Sequence, residues 1–166
     1  MGRAPLFFIA IRGSGIIMFD NISLNYELQL LVLVTALGKA YNNLDVSCIE
    51  HLLDENVIYE SQQVLCPLKG REAVLDYLLK KFITLRNTPG SELIAELGFM
   101  GSQERAYIKA AFVAEGQPCL IMSQGEKDRK LAVVLVDGLR GKIARVELCT
   151  VAPHWSQVHG TGEYPE

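Results

Sequence analysis

Arg105, Tyr107 and Lys109 alternate with apolar residues near the middle of the 166-residue chain. Alternate side chains of an extended strand point to the same side, so this spacing groups the three polar side chains on one face. On a concave face, Tyr107 could donate a hydrogen bond to a carbonyl group and Lys109 could hold an anion. On a solvent-exposed or dimer-forming face, the same residues need no chemical role.

Three further charged residues, Glu60, Arg145 and Glu147, fall in segments rich in apolar and β-branched residues. Apolar surroundings would make Glu60 a stronger base, suited to general-base catalysis. The alternative is a solvated glutamate at the end of a strand. Arg145 and Glu147 are two residues apart and share a strand face, where a surface or interface ion pair is the simplest interpretation.

Tyr41, His51 and Tyr59 are candidates for lining a pocket, because each stands among apolar residues of a predicted helix or strand. Core packing with a hydrogen-bonded hydroxyl group explains the two tyrosines equally well. A partly buried structural histidine likewise explains His51. The sequence leaves both interpretations open for each residue.

Composition and absent motifs exclude several classes of function. With 49% hydrophobic and 21% charged residues, the chain can bury the core of one domain. The 16 Lys and Arg residues do not balance the 19 Asp and Glu residues and form no basic block, which argues against nucleic-acid binding. The phosphate-loop, dinucleotide, serine-hydrolase and zinc-protease motifs are missing, so we expect no cofactor.

The four cysteines are scattered, with no C-x-x-C pair and no histidine at ligand spacing. This pattern predicts neither a metal site nor a redox motif, and it is typical of reduced thiols in the cytoplasm.

The apolar segment at residues 6–19 is broken by Arg12 and by the Gly-Ser-Gly run at residues 13–15. It lacks a recognisable cleavage site, and it is shorter than the roughly 20 apolar residues that a membrane span needs. Met18 is a plausible alternative start. We therefore treat residues 1–22 as an extension outside the fold, native or not, and expect no membrane association.

Apolar spacing predicts helices at residues 24–42 and 71–85, with a short helix between them that begins at Asp45. Alternating segments separated by glycines predict strands at residues 57–61, 64–68, 92–99, 105–114, 118–123, 131–137 and 142–151. Residues from Pro153 onward are predicted to form a loose tail.

The order of these elements predicts an α+β fold. Three helices dominate the first half and consecutive strands fill the second, which favours an antiparallel or mixed sheet with helices on one face over alternating βαβ units. We expect one domain at residues 23–153, followed by the tail at residues 154–166.

Three local patterns, taken together, resemble the nuclear transport factor 2-like superfamily, which includes SnoaL-type polyketide cyclases, ketosteroid isomerase, scytalone dehydratase and limonene epoxide hydrolase. The patterns are Asn-Leu-Asp at residues 43–45 leading to Leu-Leu-Asp-Glu-Asn-Val at 52–57, Leu-Lys-Gly-Arg-Glu-Ala-Val at 68–74, and Gly-Lys-Ile-Ala-Arg at 141–145. Their order and spacing extend the resemblance over about residues 24–153.

The resemblance implies a curved sheet wrapped around three helices, a cystatin-like cone whose pocket suits small apolar or mixed-polarity molecules, and a homodimer formed through the sheet. Glu60 resembles the catalytic carboxylate of the steroid isomerases. Arg145 and Glu147 resemble the arginine and acid with which epoxide hydrolases of this fold activate water. The oxyanion donors of the steroid isomerases have no counterpart at residues 35–36 or at Ala132, so that activity is not expected.

Two interpretations of the function follow. In the first, the chain is a cofactor-independent isomerase, dehydratase, cyclase or hydrolase that uses general acid and base catalysis. In the second, the same fold is a passive ligand-binding or protein-interaction module. Under the first interpretation, the catalytic candidates are Glu60, Tyr107, Arg145 and Glu147, and the pocket candidates are Tyr41, His51, Tyr59 and Lys109.

Overall fold

A computed structural model describes residues 9–12, 15–18, 21–61, 66–101, 115–149 and 158–166. The predicted strand at residues 105–114, with Tyr107 and Lys109, lies outside these ranges, as do residues 64 and 65 of the predicted strand at 64–68. Of the three described residues of that segment, only Leu68 is in a strand, which continues to Lys69. Among the described residues, no helix is long and apolar enough to cross a membrane.

Two α-helices form, α1 at Asn21–Asn43 and α2 at Arg71–Arg86, which confirms both long-helix predictions. Helix α2 buries Val74, Leu78 and Phe82, which are spaced four apart and therefore lie on one face. Gly38 lets α1 pack closely, because a Cβ atom there would lie 3.0 Å from both the Leu120 and the Pro165 side chains.

The predicted short helix after Asp45 is a turn followed by a three-residue 3₁₀ helix, Glu50–Leu52. The Asp45 carboxylate accepts hydrogen bonds from the backbone and hydroxyl groups of Ser47, at 3.0 and 2.8 Å, and so supports a local turn. Leu53, directly after this 3₁₀ helix, is already in a strand. The segment is too short to propagate a helix before it joins the sheet.

A hairpin of β1 (Ile9–Arg12) and β2 (Gly15–Met18) forms its own two-stranded sheet. The main sheet has seven strands in the order β4-β3-β8-β7-β6-β5-β9. Its members are β3 (Leu53–Ser61), β4 (Leu68–Lys69), β5 (Leu93–Met100), β6 (Pro118–Gln124), β7 (Glu126–Leu139), β8 (Lys142–Cys149) and β9 (Val158–Gly160). β3 and β8 are parallel and the other described pairings are antiparallel, so the sheet is mixed and the α+β class is confirmed.

Both faces of the sheet bury apolar side chains. On β6, Leu120 and Met122 join the core beneath the helices, whereas Cys119 and Ile121 belong to a second apolar cluster on the opposite face. β7 divides in the same way: Val134 lies in the core beneath the helices, and its neighbours Val133 and Leu135 lie on the opposite face. We call the two groups the helix-facing core and the outer cluster. The outer cluster comprises Met100, Cys119, Ile121, Val133, Leu135, Cys149 and Val158.

The described end of the chain is not the loose tail that its glycines and polar residues predicted. β9 pairs with the edge of β5, and beyond it the Leu97 backbone exchanges hydrogen bonds with Thr161 and Glu163 at 3.0 and 2.8 Å. The Asn42 side chain of α1 then joins this segment to the sheet. Its amide nitrogen donates to the Ala95 and Pro165 carbonyl oxygens at 3.0 and 2.7 Å, and its oxygen accepts from the Ala95 nitrogen at 2.6 Å.

Replacement of Asn42 by Ala removes all three of these hydrogen bonds, two of which satisfy one backbone unit of β5. At about 1 kcal/mol for each bond, we expect Asn42→Ala to lower the free energy of unfolding by about 2–4 kcal/mol in urea denaturation. Asn43→Ala changes the exposed neighbour and serves as the control, with an expected change below about 0.5 kcal/mol. Equal effects of the two substitutions would contradict the role of Asn42.

Candidate functional site

The parallel pairing of β3 with β8 brings together three of the predicted site residues. Ile58 lies opposite Arg145, and Glu60 lies opposite Glu147. The Arg145 guanidinium reaches both acids: Nη2 lies 2.5 Å from Glu60 Oε2, and Nε lies 2.6 Å from Glu147 Oε1. We call these three residues the Glu60–Arg145–Glu147 cluster.

The two carboxylates of this cluster differ in their access to solvent. The Glu147 side chain is 4% exposed, Arg145 is 25% exposed and Glu60 is 34% exposed. Partial desolvation opposes the charge of Arg145, but its hydrogen bonds and charge contacts with Glu147 and Glu60 outweigh that effect and raise its pKa. Arg145 therefore stays cationic, with one acid held inside the protein and the other reachable from outside.

The cluster lies on the face of the sheet that points away from the helices. Glu147 is paired with Leu135, a member of the outer cluster, and Cys149 of the same group follows two residues later on β8. The helix-facing core therefore does not enclose Glu60. The apolar side chains near the cluster are those of Leu135 and Cys149, which adjoin Glu147. Tyr59, the residue before Glu60, points to the helices instead.

Tyr41 and Tyr59 belong to the helix-facing core, and their hydroxyl groups lie 3.3 Å apart. Burial raises the pKa of Tyr41 to about 12 and that of Tyr59 well above its usual value, so both side chains stay neutral at physiological pH. This geometry matches core packing with hydrogen-bonded hydroxyl groups, one of the two interpretations that the sequence left open.

Sequence reasoning missed two residues beside these tyrosines. The Tyr77 ring lies 5.2 Å from that of Tyr59, and Lys81 Nζ lies 5.7 Å from the Tyr41 ring centroid and 5.9 Å from that of Tyr77. The spacing of Tyr77 and Lys81, one helical turn apart on α2, is a signal that could have identified them as neighbours.

His51 is exposed and lies in the 3₁₀ helix before β3, whereas Glu60 is near the far end of that strand. Its backbone carbonyl accepts a hydrogen bond from Lys142 Nζ at the start of β8. The structure thus does not bring His51 to the Glu60–Arg145–Glu147 cluster. Tyr107 and Lys109 fall outside the described residues.

Two open grooves, of about 490 and 350 Å³, lie at the start of α2 and share Glu55 and Arg71. Lys69 lines the larger groove and Lys142 the smaller one. The facing Glu55 and Arg71 side chains form an ion pair of 3.3 Å. Within the described part of the chain, no group of three or more histidine, cysteine or acidic residues could hold a metal ion.

No family model and no curated protein matches this sequence. Solved structures do resemble it. An NTF2-like protein of unknown function from Mesorhizobium loti shares 14% identity over 76% of this chain and 93% of its own, with a TM-score of 0.53.

A SnoaL-like protein of unknown function from Burkholderia thailandensis shares 14% identity over 86% of this chain and 100% of its own, with a TM-score of 0.49. A steroid delta-isomerase from Pseudomonas aeruginosa shares 17% identity over 78% of this chain and 82% of its own, with a TM-score of 0.46. At these identities, the resemblance concerns the arrangement of helices and strands. The chemistry has to be argued from the side chains.

Arg145→Met tests the cluster as a structural unit, because it leaves the buried Glu147 carboxylate without its cation. Removal of one partner from a buried ion pair typically costs 3–5 kcal/mol; because Arg145 is partly exposed, we expect a loss of about 2–4 kcal/mol in the free energy of unfolding. Arg129→Met, at an exposed position on β7, is the matched control and should change stability by less than about 0.5 kcal/mol. A loss for Arg145→Met that is no larger than for the control would contradict the ion-pair geometry.

Proposed function

We propose that this chain, which has the fold of the nuclear transport factor 2-like superfamily, binds a small apolar or mixed-polarity molecule beside the Glu60–Arg145–Glu147 cluster and acts on it by acid and base catalysis. The observation that carries this proposal is one guanidinium group bridging two carboxylates of unequal exposure. The buried outer cluster adjoins the Glu60–Arg145–Glu147 cluster and makes its surroundings on this face of the sheet apolar.

Glu60 is the general base in this proposal, because its carboxylate is the more exposed of the two. It takes a proton from the substrate or from an attacking water molecule, and it returns a proton later in the reaction. Arg145 holds the Glu60 carboxylate in place and compensates its charge. Glu147 in turn fixes the guanidinium through Nε.

The charges of the cluster suit a reaction in which Glu60 takes up a proton and later returns it. Two carboxylates and one guanidinium carry a net charge of −1, and protonation of Glu60 brings the sum to zero. Glu147 and Arg145 remain paired throughout, so the proton can move without leaving an uncompensated buried charge. Isomerisation, dehydration, cyclisation and hydration all use this proton transfer and need no cofactor.

Steroid isomerisation is not part of the proposal. Ala132, at the place of that activity's protonated acid, is buried in the helix-facing core and offers no hydrogen-bond donor from its side chain. Thr35 on α1 uses its hydroxyl group to donate to the Leu31 carbonyl oxygen at 2.7 Å. A developing enolate would gain nothing from either residue.

The finer parts of the proposal concern enclosure of the site. We propose that Tyr107 donates a hydrogen bond to the substrate and that Lys109 holds an anionic group of it. A homodimer formed through the sheet would cover the partly exposed Glu60 and Arg145 and exclude bulk water, which strengthens their electrostatic interaction. Four free cysteines support a reducing compartment such as the cytoplasm.

An alternative function is a passive interaction module. Helix α1 exposes Leu24, Leu28 and Val32, which are 48%, 55% and 63% accessible and spaced four residues apart, so they form one apolar stripe. Such a stripe is typical of a helix that packs against a partner. In this alternative, the Glu60–Arg145–Glu147 cluster only stabilises the sheet.

Glu60→Gln separates the two functions, since it removes the base but keeps the shape of the side chain. Gas chromatography with mass spectrometry would follow turnover of a panel of small apolar epoxides, hydroxyketones and unsaturated ketones. We expect Glu60→Gln to lower kcat about 10²–10⁴-fold for any compound that the wild type converts.

Glu55→Gln is the matched control, because Glu55 lies on the same strand, is 84% exposed and is absent from the cluster. It should retain wild-type kcat. Undiminished turnover by Glu60→Gln would remove Glu60 from the mechanism, and a wild type inert towards the whole panel would favour the interaction module.

A further inference from the structure

Residues 158–166 lie along the edge of β5 and reach helix α1, and we call them the edge segment. Its first three residues form β9, which pairs with residues 98–100 of β5. Beyond β9, its backbone continues to hydrogen-bond with the Leu97 backbone, at 3.0 and 2.8 Å. At α1, the Pro165 carbonyl oxygen accepts a hydrogen bond of 2.7 Å from the Asn42 side chain. Main-chain hydrogen bonds of this kind are how a sheet edge binds an extended peptide.

Close contacts fit the edge segment to the surface beneath it. A Cβ atom at Gly98 of β5 would lie 3.0 Å from the His159 carbonyl oxygen. On the other side of the contact, a Cβ atom at Gly160 would displace the Glu96 carboxylate. That carboxylate accepts a hydrogen bond of 2.9 Å from the Gly162 nitrogen. Both the surface and the edge segment therefore use glycine where they approach most closely.

Side chains anchor the edge segment at both of its ends. Val158 is buried and belongs to the outer cluster. Near the other end, the Tyr164 ring centroid lies 3.8 Å from Lys127 Nζ of β7, and the Pro165 side chain packs where Gly38 opens the surface of α1. These partners belong to α1, β7 and the outer cluster. An edge segment that came from a second copy of the chain would find the same contacts.

The connection that leads to the edge segment is short for the distance between its ends. Three strands of the sheet separate β8 from β9, which corresponds to about 19 Å between Cys149 and Val158 across the sheet. The register of the strands aligns Cys149 with Glu96, and Val158 with Met100, which adds about 13 Å along the strands. The eight residues 150–157 thus join points about 23 Å apart, and their greatest reach is about 30 Å.

We propose that two copies of this chain exchange their edge segments, so that the segment of each copy adds the edge strand to the sheet of the other. Exchange keeps every contact of the segment and changes only the course of the connection, which makes it a low-cost route to a dimer. Short connections favour such exchange over the return of the segment to its own chain.

This dimer is distinct from the homodimer that would cover Glu60 and Arg145. It is formed at the β5 edge of the sheet, whereas Glu60 and Arg145 lie on β3 and β8, towards the opposite edge. The exchange therefore does not depend on the proposed acid and base chemistry, and either proposal can fail without the other.

The test is photo-cross-linking of the full chain carrying Tyr164→p-benzoylphenylalanine, which places the reactive group beside Lys127. Equal amounts of isotope-labelled and unlabelled chain are unfolded together in urea, refolded at high concentration and irradiated. Mass spectrometry then shows whether the two peptides of each cross-link carry the same isotope. We expect mixed pairs to approach about half of all cross-linked pairs, the value for random exchange between two copies. Cross-links that join only peptides of the same isotope would overturn the proposal.

The matched control has the same photoreactive residue and a connection doubled in length by Gly and Ser residues inserted after Pro153. Because a longer connection lets the edge segment return to its own chain easily, we expect the share of mixed pairs to fall several-fold. An undiminished share would also contradict the proposal. A dimer in light scattering whose cross-links are all of one isotope would leave the sheet-face homodimer standing and exclude the exchange.

Discussion

The parallel pairing of β3 with β8 is the constraint on which the candidate site depends. It joins a strand from the first half of the chain to the last long strand, across more than 80 residues of sequence, and sets Glu60 directly opposite Glu147. A shift of one residue would send the side chains of β3 to the other face of the sheet. The burial of Val57 and Tyr59 against the helices opposes such a shift, so core packing fixes the position of Glu60.

Consecutive side chains of β3 point to opposite faces of the sheet, so the polar groups of Tyr59 and Glu60 meet different surroundings. Tyr59 points to the helices and meets Tyr41, Tyr77 and the environment of Lys81, which is governed by desolvation and aromatic rings. Glu60 points away and meets Arg145, in an environment governed by charge compensation. A single strand thus separates the half-buried Lys81 from an ion-paired carboxylate.

Periodicity alone was enough to predict the long helices and most of the described strands, because burial of one face imposes regular spacing. It failed where local and long-range forces compete. The segment after Asp45 has helical spacing, but the pairing of Leu53 with Ile143 ends it after one 3₁₀ turn. The polar end of the chain is fixed by Asn42, whose partners lie far away in sequence.

The site shows the same division between what the sequence reveals and what it does not. Spacing indicated that Arg145 and Glu147 share a face, but their contact with Glu60 depends on strand order, which a local pattern does not contain. The face of the sheet on which Glu60 lies was likewise undetermined, because both faces bury apolar residues and the usual contrast between a polar and an apolar side is lost.

A double-mutant cycle between Glu60 and Arg145 tests the central claim most directly. The free energies of unfolding of the wild type, Glu60→Gln, Arg145→Met and the combined variant give the energy that couples the two side chains. The account predicts a coupling energy of about 1 kcal/mol or more, since Arg145 Nη2 lies 2.5 Å from Glu60 Oε2. Effects that add within about 0.3 kcal/mol would show that the two residues do not interact, and would contradict the account.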